Sequence, residues 1–204
     1  MIIAIAANNV QQEALQRKGL KQSVEIRWVN TSEKLYQVQE AEVLLDCLFQ
    51  GPVIPKCDKP LLIHSPIDTL AALNASATVG RFCAWNSFLE RSVWEVAVVQ
   101  SAENLWLTTV MEHLRWNYQL VKDEPGLIAP RVISMIINEA CFALEQGVSS
   151  KADIDTAMKL GTNYPYGPFE WAAIIGIQNI YKLLTKLSET DLRYVPAGLL
   201  SAIK

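Results

Sequence analysis

Side chains that bind metals or form disulfides are scarce in this 204-residue sequence, which contains two histidines and four cysteines. The cysteines lie far apart, with no C-x-x-C pair, at Cys47, Cys57, Cys83 and Cys141. This spacing argues against a structural zinc site and against a domain stapled by disulfides. We therefore expect four reduced thiols that pack in the core.

Clusters of basic residues and long apolar runs are also missing. The formal net charge is −3, and no run of lysine and arginine exceeds two residues, so nothing in the sequence would concentrate a polyanion. No apolar run approaches the roughly 20 residues that span a bilayer, and the first ten residues lack the features of a secretory signal. These absences predict a cytoplasmic protein with no nucleic-acid or membrane partner.

The first 122 residues alternate short apolar runs with helical periodicity, a pattern typical of a parallel α/β layer. Six runs predict strands, at residues 2–6, 24–29, 42–49, 60–64, 81–85 and 93–99. Helices are predicted at residues 10–18, which Gly19 ends, and from an N-cap at Ser101 to about Tyr118. His113 in the second helix is interpreted as a rim residue. The predicted fold class of this half is α/β, Rossmann-like.

A change in composition predicts a domain boundary after Lys122, because the Pro125-Gly126 pair follows and the β-branched strand runs stop there. The predicted domains are a shortened Rossmann-like unit at 1–122 and an all-helical, all-α unit at 123–204. Helices are predicted at residues 127–146, 152–160 and 177–187. Ser150 is the predicted cap of the second of these helices and Gly161 its terminator, and Pro168 suits the first position of a further helix.

The first strand-to-helix turn lacks the glycines with which a Rossmann fold surrounds a dinucleotide diphosphate. After the first strand the chain reads Ala7-Asn8-Asn9, and the first glycine is Gly19. Side chains there occupy positions that the phosphate needs as bare backbone, so we expect no tight binding of NAD. Asn8 and Asn9 suit both a polar turn that lines a ligand and a plain turn.

Five segments of the second half occur in an ordered series. They lie at residues 121–128, 138–140, 145–148, 153–161 and 164–170 and read VKDEPGLI, NEA, EQGV, DIDTAMKLG and YPYGPFE. Their order and spacing resemble the C-terminal domain of the 3-hydroxyacyl-CoA dehydrogenase family, which implies a helical domain like that of 6-phosphogluconate dehydrogenase. Residues 42–99 resemble the family more loosely. There the segment 41–46 looks like an acidic strand of its cofactor half, with Asp46 at its end.

The resemblance implies an enzyme that oxidises the 3-hydroxyl of an acyl-CoA to a ketone with NAD as cofactor. It also implies an acyl-CoA ligand and a homodimer formed through the helical domain. The chemistry needs a base for the hydroxyl proton, and in the family a histidine oriented by a carboxylate serves. Here Asn86 stands at the histidine position, and an amide takes up no proton at neutral pH. Glu95 corresponds to the carboxylate, three residues earlier than the family's spacing.

The positions that the resemblance implies for substrate binding also depart from the family. The family's substrate asparagine falls at Pro130, beside Arg131, and its serine-rich turn becomes residues 65–69 with Asp68 where a hydroxyl is expected. His64 ends a predicted strand, where open α/β sheets bind their ligands, and is a candidate replacement base. The alternative is a structural histidine with one hydrogen-bond partner.

Two functions remain open from the sequence. The first is a diverged, shortened relative of 3-hydroxyacyl-CoA dehydrogenase that has lost ordinary NAD-dependent catalysis and acts in acyl-CoA binding or dimeric assembly. The alternative is an active NAD-dependent oxidoreductase that converts L-3-hydroxyacyl-CoA to 3-oxoacyl-CoA, with His64 or Glu95 as an unusual base. A purely structural partner cannot be separated from the first function by sequence.

Overall fold

The computed structural model describes residues 1–20, 24–99 and 105–202. The chain divides into two compact units, residues 1–127 (unit 1) and residues 128–204 (unit 2). The predicted N-cap at Ser101 lies outside the described residues.

Unit 1 is built on one open sheet. Its strands, as far as the described residues go, are β1 (Ile2–Ala6), β2 (Glu25–Val29), β3 (Val43–Asp46), β4 (Leu61–His64), β5 (Val79–Phe82), β6 (Val93–Val98) and β7 (Asn117–Leu120). The order across the sheet is β2-β1-β3-β4-β5-β6-β7. Only β5 and β6 pair antiparallel among these strands. The topology is Rossmann-like, and the chain crosses from one side of β1 to the other between β2 and β3.

The alternation of side chains along β1 gives unit 1 a core on each face of the sheet. Ile3 and Ile5 pack into one apolar cluster, and Ala4 and Ala6 pack into the other. Helices cover the sheet because both faces of β1 are apolar. They are α1 (Asn9–Lys18), α2 (Ser32–Leu35) and α3 (Leu105–Leu114).

The C-terminal end of α3 differs from the prediction, which carries the helix to Tyr118. Arg115 adopts a left-handed conformation with φ of 57°, which ends the helix. The backbone N–H of Trp116 then donates to Met111 O at 3.0 Å, and the chain turns into β7. This strand pairs in parallel with β6, from Val93 opposite Asn117 to Val96 opposite Leu120. The sheet therefore has a strand that the sequence did not predict.

Two other predicted boundaries, those of the fifth strand and of the first domain, lie close to a buried arginine. Arg81 is fully buried, and its guanidinium pairs with Asp123 and donates to Glu124 O at 2.7 Å. Gly126 N–H donates to Pro66 O at 2.7 Å. Residues 123–127 are thereby held against the sheet and fall in unit 1, which ends at Leu127, whereas the predicted boundary follows Lys122. The strand predicted at 81–85 is observed as Val79–Phe82.

Unit 2 is built from helices in its described part, residues 128–202. They are α4 (Ala129–Glu145), α5 (Lys151–Thr162), α6 (Pro168–Ile175), α7 (Ile177–Ser188), a 3-10 turn (Leu192–Tyr194) and α8 (Gly198–Ser201). Asn138 ties α4 to the last segment, since its Nδ2 donates to Val195 O at 3.0 Å and its Oδ1 accepts from Ala197 N at 2.8 Å. Ser150 caps α5 as predicted. The helix continues through Gly161, however, and Asn163 ends it in a left-handed conformation.

Helices α5 and α6 are locked by residues of the motifs that carry the family resemblance. Asp155 on α5 accepts from the backbone N–H of Phe169 at 2.8 Å and so caps the first turn of α6. Glu170 accepts from Gly167 N–H at 2.9 Å and pairs with Lys159 of α5. A Cβ built on Gly167 would collide with the Asp155 side chain, so glycine is required there by space.

Replacing Gly167 by alanine should therefore destabilise unit 2. The new methyl group displaces the Asp155 cap, and overpacking of this kind lowers the free energy of unfolding by roughly 1–3 kcal/mol. Thermal unfolding followed by the helical circular-dichroism signal measures the effect. The matched control is Gly161→Ala, because no atom lies within 4 Å of the added Cβ and alanine stabilises a helix interior by up to about 1 kcal/mol over glycine. Equal changes in the free energy of unfolding for the two substitutions would contradict the role of Gly167 in the contact between α5 and α6.

Candidate functional site

The candidate site is the carboxyl edge of the sheet in unit 1, where doubly wound folds bind their ligands. At this edge β1 runs into α1 through Ala7, which is buried, and Asn8, which is the N-cap of the helix. Asn8 Oδ1 accepts from Gln11 N at 2.9 Å, and Gln11 Oε1 accepts from Asn8 N at 3.0 Å. Asn9 is the exposed first residue of α1. The first turn of the helix is thus capped by its own side chains.

The Gln11 amide also spans the edge of the sheet. Its Nε2 donates to Cys47 O at 3.1 Å and to Ala84 O at 3.2 Å, and the residue is 7% exposed. Cys47 follows β3, and Ala84 lies two residues beyond β5. One buried side chain therefore connects the ends of β1, β3 and β5 across the point where the strand order reverses.

These residues do not fit the diphosphate of a dinucleotide. A G-x-G-x-x-G fingerprint aligned on this turn falls at Ala6, Asn8 and Gln11. The second glycine of the fingerprint lets the backbone approach the diphosphate, and the third lets the helix pack closely on the strand. Here the second position carries a capping side chain and the third carries a long buried amide. Asn8 was predicted to lie in this turn from the missing glycines, whereas Gln11 was not, although it falls on the third position of the same fingerprint.

Asp46, at the end of β3, is held by a local hydrogen-bond network. Its carboxylate accepts from Ser32 Oγ at 2.8 Å, from Tyr36 OH at 3.1 Å and from Leu48 N at 3.0 Å. Burial raises the pKa of Asp46, and the three hydrogen bonds act in the opposite direction. A cavity of about 500 Å³, lined by Ser32, Tyr36 and Leu48 among others, lies beside this network. Asp46 therefore organises the loops after β2 and β3.

His64, the candidate replacement base, ends β4 and is hydrogen-bonded to the neighbouring loop. Its Nδ1 accepts from the backbone N–H of Ala84 at 2.8 Å, so the proton of the neutral ring is on Nε2. Burial lowers the pKa of His64 to about 4, and a hydrogen bond with the backbone of Phe82 acts in the opposite direction. Ala84 therefore bonds to His64 through its N–H and to Gln11 through its C=O. The structure brings these two side chains together at one loop residue.

Asn86 and Glu95, the other predicted catalytic residues, lie on either side of a turn. Asn86 is exposed and follows Trp85 in the loop after β5. Glu95 lies on β6, and its carboxylate pairs with Arg91 at 3.2 Å, four residues earlier in the chain. This ion pair holds the Glu95 carboxylate toward the Arg91 guanidinium.

The predicted substrate residues fall in both units. Asp68 is exposed in the loop after β4, where Ser65 Oγ donates to its backbone carbonyl at 2.8 Å. Pro130 is buried in the first turn of α4. The Arg131 guanidinium lies 5.8 Å from the ring centre of Tyr194, within the range of a cation–π contact.

Arg81 is a buried charged residue of this edge that the sequence analysis did not single out. Its Nη1 donates to Ser65 O at 2.9 Å, in addition to its pair with Asp123. Asp123 in turn accepts from the backbone N–H groups of Leu70 and Ala71 at 3.0 and 3.1 Å. This network fixes the loop that carries Asp68. The only indication of this network in the sequence is that Arg81 interrupts an apolar run.

Metal binding and membrane insertion find no support in the described residues. Among them no three His, Cys, Asp or Glu side chains are grouped closely enough to hold a metal ion. Cys47, Cys83 and Cys141 are buried as expected, whereas Cys57 is half-buried. Within residues 1–20, 24–99 and 105–202, no helix is both long and apolar enough to cross a membrane.

Comparison with known proteins gives matches at two levels. Residues 126–201 match the family model of the 3-hydroxyacyl-CoA dehydrogenase C-terminal domain. A 3-hydroxyadipyl-CoA dehydrogenase of Escherichia coli strain K12 is 51% identical over 82 residues, which are 39% of this chain and 17% of that protein. A 3-hydroxybutyryl-CoA dehydrogenase of Bradyrhizobium diazoefficiens is 40% identical over 81 residues, 39% of this chain and 28% of that protein. The aligned stretch therefore spans well under a third of these curated relatives.

Solved structures extend the likeness to unit 1 at the level of the fold. An (S)-3-hydroxybutyryl-CoA dehydrogenase from Ralstonia eutropha matches 99% of this chain and 92% of its own, with a TM-score of 0.74 and 16% identity. A 3-hydroxybutyryl-CoA dehydrogenase from E. coli K12 matches 72% of this chain and 32% of its own, with a TM-score of 0.60 and 33% identity.

The resemblance predicted from the motifs of the second half is thus confirmed, and residues 126–201 belong to the 3-hydroxyacyl-CoA dehydrogenase family as its C-terminal domain.

Proposed function

We propose that this protein is a 3-hydroxyacyl-CoA dehydrogenase homologue that binds acyl-CoA or assembles as a dimer and does not itself catalyse NAD-dependent hydride transfer. The observation that carries the proposal is Asn86, which stands where the family resemblance implies the catalytic base. A neutral amide accepts no proton near pH 7, and loss of a general base lowers a rate by about 10²–10⁴-fold.

Neither of the other candidate bases is suited to replace it. His64 already accepts a backbone N–H at Nδ1 and carries its proton on Nε2. With a pKa of about 4 its imidazole is a weak base at neutral pH. Glu95 is paired with Arg91, so its carboxylate is held toward that guanidinium. The capped turn at Asn8 and Gln11 supports the same conclusion on the cofactor side.

Acyl-CoA is the ligand class that the relatives support. The two relatives are a 3-hydroxyadipyl-CoA dehydrogenase and a 3-hydroxybutyryl-CoA dehydrogenase. The family model matches residues 126–201, nearly all of them in unit 2, so we propose that an acyl-CoA contacts this chain through residues of unit 2, with Arg131 as the candidate phosphate contact. We also propose that unit 2 has the helical C-terminal fold of the 6-phosphogluconate dehydrogenase type and that the protein is cytoplasmic.

A homodimer formed through unit 2 is the second part of the proposal. No residue of α5 is buried, and Leu160 near its end is 83% exposed. Val148, in the turn before α5, is 69% exposed. Helices are stabilised mainly by burying an apolar face, so exposed apolar residues of this size favour cover by a second copy.

Turnover and ligand binding test the function directly. We expect the protein to consume no NADH with acetoacetyl-CoA and to bind acetoacetyl-CoA by calorimetry, because it lacks the base and retains the family's helical domain. Full-length E. coli 3-hydroxybutyryl-CoA dehydrogenase serves as the positive control. NADH consumption that is lost in His64→Gln or Glu95→Gln would establish the alternative, an active oxidoreductase. If the protein binds neither NADH nor acetoacetyl-CoA, dimeric assembly remains as its function.

A pH series tests whether His64 is structural. The pKa of the imidazole falls from 6.5 in the unfolded chain to about 4 in the fold. As pH drops through that window the unfolded chain takes up the proton first. The free energy of unfolding should therefore fall by up to about 1.4 kcal/mol per pH unit and be regained as pH rises to 6.5. His64→Gln should have a shallower dependence in urea unfolding, because the amide oxygen accepts Ala84 N–H without titrating. Identical pH dependences would rule out a structural imidazole.

Light scattering at micromolar concentration tests the dimer. We expect the mass of two chains for the parent and of one chain for Leu160→Glu, because a carboxylate on α5 would be desolvated in the interface. Val53→Glu is the matched control, since Val53 is 72% exposed and belongs to unit 1. A monomeric parent would refute the proposal, and two dimeric variants would remove Leu160 from the interface.

A further inference from the structure

We infer that Gln11 is the residue that closes the dinucleotide position of unit 1, acting as a built-in substitute for a diphosphate. The inference rests on the proposed function, since it supplies the reason why the fold carries no cofactor chemistry. It makes a separate claim, however: the rest of the crevice is intact, and substitution of this turn opens it.

The position of Gln11 in the turn supports the inference. Counted from Ala6, it falls on the third glycine position of the dinucleotide fingerprint, where a helix normally packs closely on the first strand. A side chain that leaves the helix at this point and is 7% exposed must enter the crevice above the strand ends. The contacts with Cys47 O and Ala84 O, on the far side of β1, show that it does so.

The hydrogen bonds of Gln11 are those that a phosphate group would make at a helix N-terminus. A bound phosphate accepts backbone N–H groups from the first turn of the helix. In this protein the Oε1 atom of Gln11 accepts from Asn8 N, and the Oδ1 atom of Asn8 accepts from Gln11 N. A diphosphate would have to displace both side-chain acceptors, and moving Gln11 out of the crevice would take its Nε2 donor away from Cys47 O and Ala84 O. A buried acceptor left without a partner costs about 1–3 kcal/mol.

The backbone around Gln11 is that of a doubly wound fold. The strand order β2-β1-β3 reverses at β1, and α1 follows β1 directly. Gln11 contacts Cys47 and Ala84 only at their backbone carbonyls. Glycine at position 11 therefore removes the Gln11 side chain from the crevice and leaves every other side chain in place. Glycine at position 8 removes the second acceptor.

The test is the binding of NADH and of ADP, followed by NADH fluorescence and by calorimetry, to the full chain and to Asn8→Gly/Gln11→Gly. The parent should bind neither saturably, and the double variant should bind both at least tenfold more tightly. ADP carries the diphosphate without the nicotinamide, so it reports on the turn alone. Gln12→Gly is the matched control, because it loses helix propensity one residue along the same helix. The Gln12 side chain is half-buried and its Nε2 donates to Ala7 O at 3.0 Å, so this variant should behave as the parent.

Two results would overturn the inference: NADH binding by the parent as tight as by the double variant, or a folded double variant with no gain for either ligand. Because glycine at both positions removes buried hydrogen bonds, Gln11→Ala provides a milder variant, for which a smaller gain with ADP is expected. If circular dichroism shows that neither variant is folded, ADP binding by the parent is the deciding measurement. A closed crevice predicts that the parent does not bind ADP. This inference and the proposed function can fail separately. A parent protein that binds NADH without oxidising it contradicts the closure of the crevice by Gln11 alone. A parent protein that turns over substrate contradicts the proposed function.

Discussion

The fold of unit 1 depends on the buried guanidinium of Arg81. Arg81 lies on β5 and has no exposed surface. Its guanidinium pairs with Asp123 and donates to Ser65 O and Glu124 O. A buried charge left unpaired is strongly destabilising, by about 3–5 kcal/mol when one partner of a buried pair is removed. The loop after β4 and the segment that leads toward α4 must therefore converge on β5. This requirement decides where unit 1 ends.

Polar residues at the carboxyl edge of the sheet satisfy one another. Gln11 donates to the C=O of Ala84 and His64 accepts from its N–H, and Asp46 accepts three hydrogen bonds from the loops around it. In a dinucleotide enzyme such groups are kept open for a ligand, whereas here their donors and acceptors are used within the chain. The family's scaffold is thus compatible with a site that has exchanged ligand contacts for internal ones.

Elements with strong periodicity could be predicted from the sequence, and those defined by partners distant in the chain could not. Strand β1 was found because it is a short continuous apolar run, and helix α4 because its apolar residues follow the 3.6-residue period. Strand β7 was missed because Asn117–Leu120 is only four residues long and mostly exposed. Asp155 belongs to a recognised motif, but its role as a cap for α6 depends on a partner 14 residues away. Gln11 and Arg81 act through contacts 36 to 73 residues away, which no local pattern encodes.

The two outermost strands of the sheet have a consequence for how copies of this chain can meet. Strand β2 bears Glu25 and Arg27, which pair with each other, and β7 is four residues long and mostly polar on its exposed positions. Charged or very short border strands discourage a further strand from adding its backbone hydrogen bonds. The sheet is therefore poorly suited to growth from chain to chain, and fibre-like association through its borders is disfavoured even when the protein is concentrated.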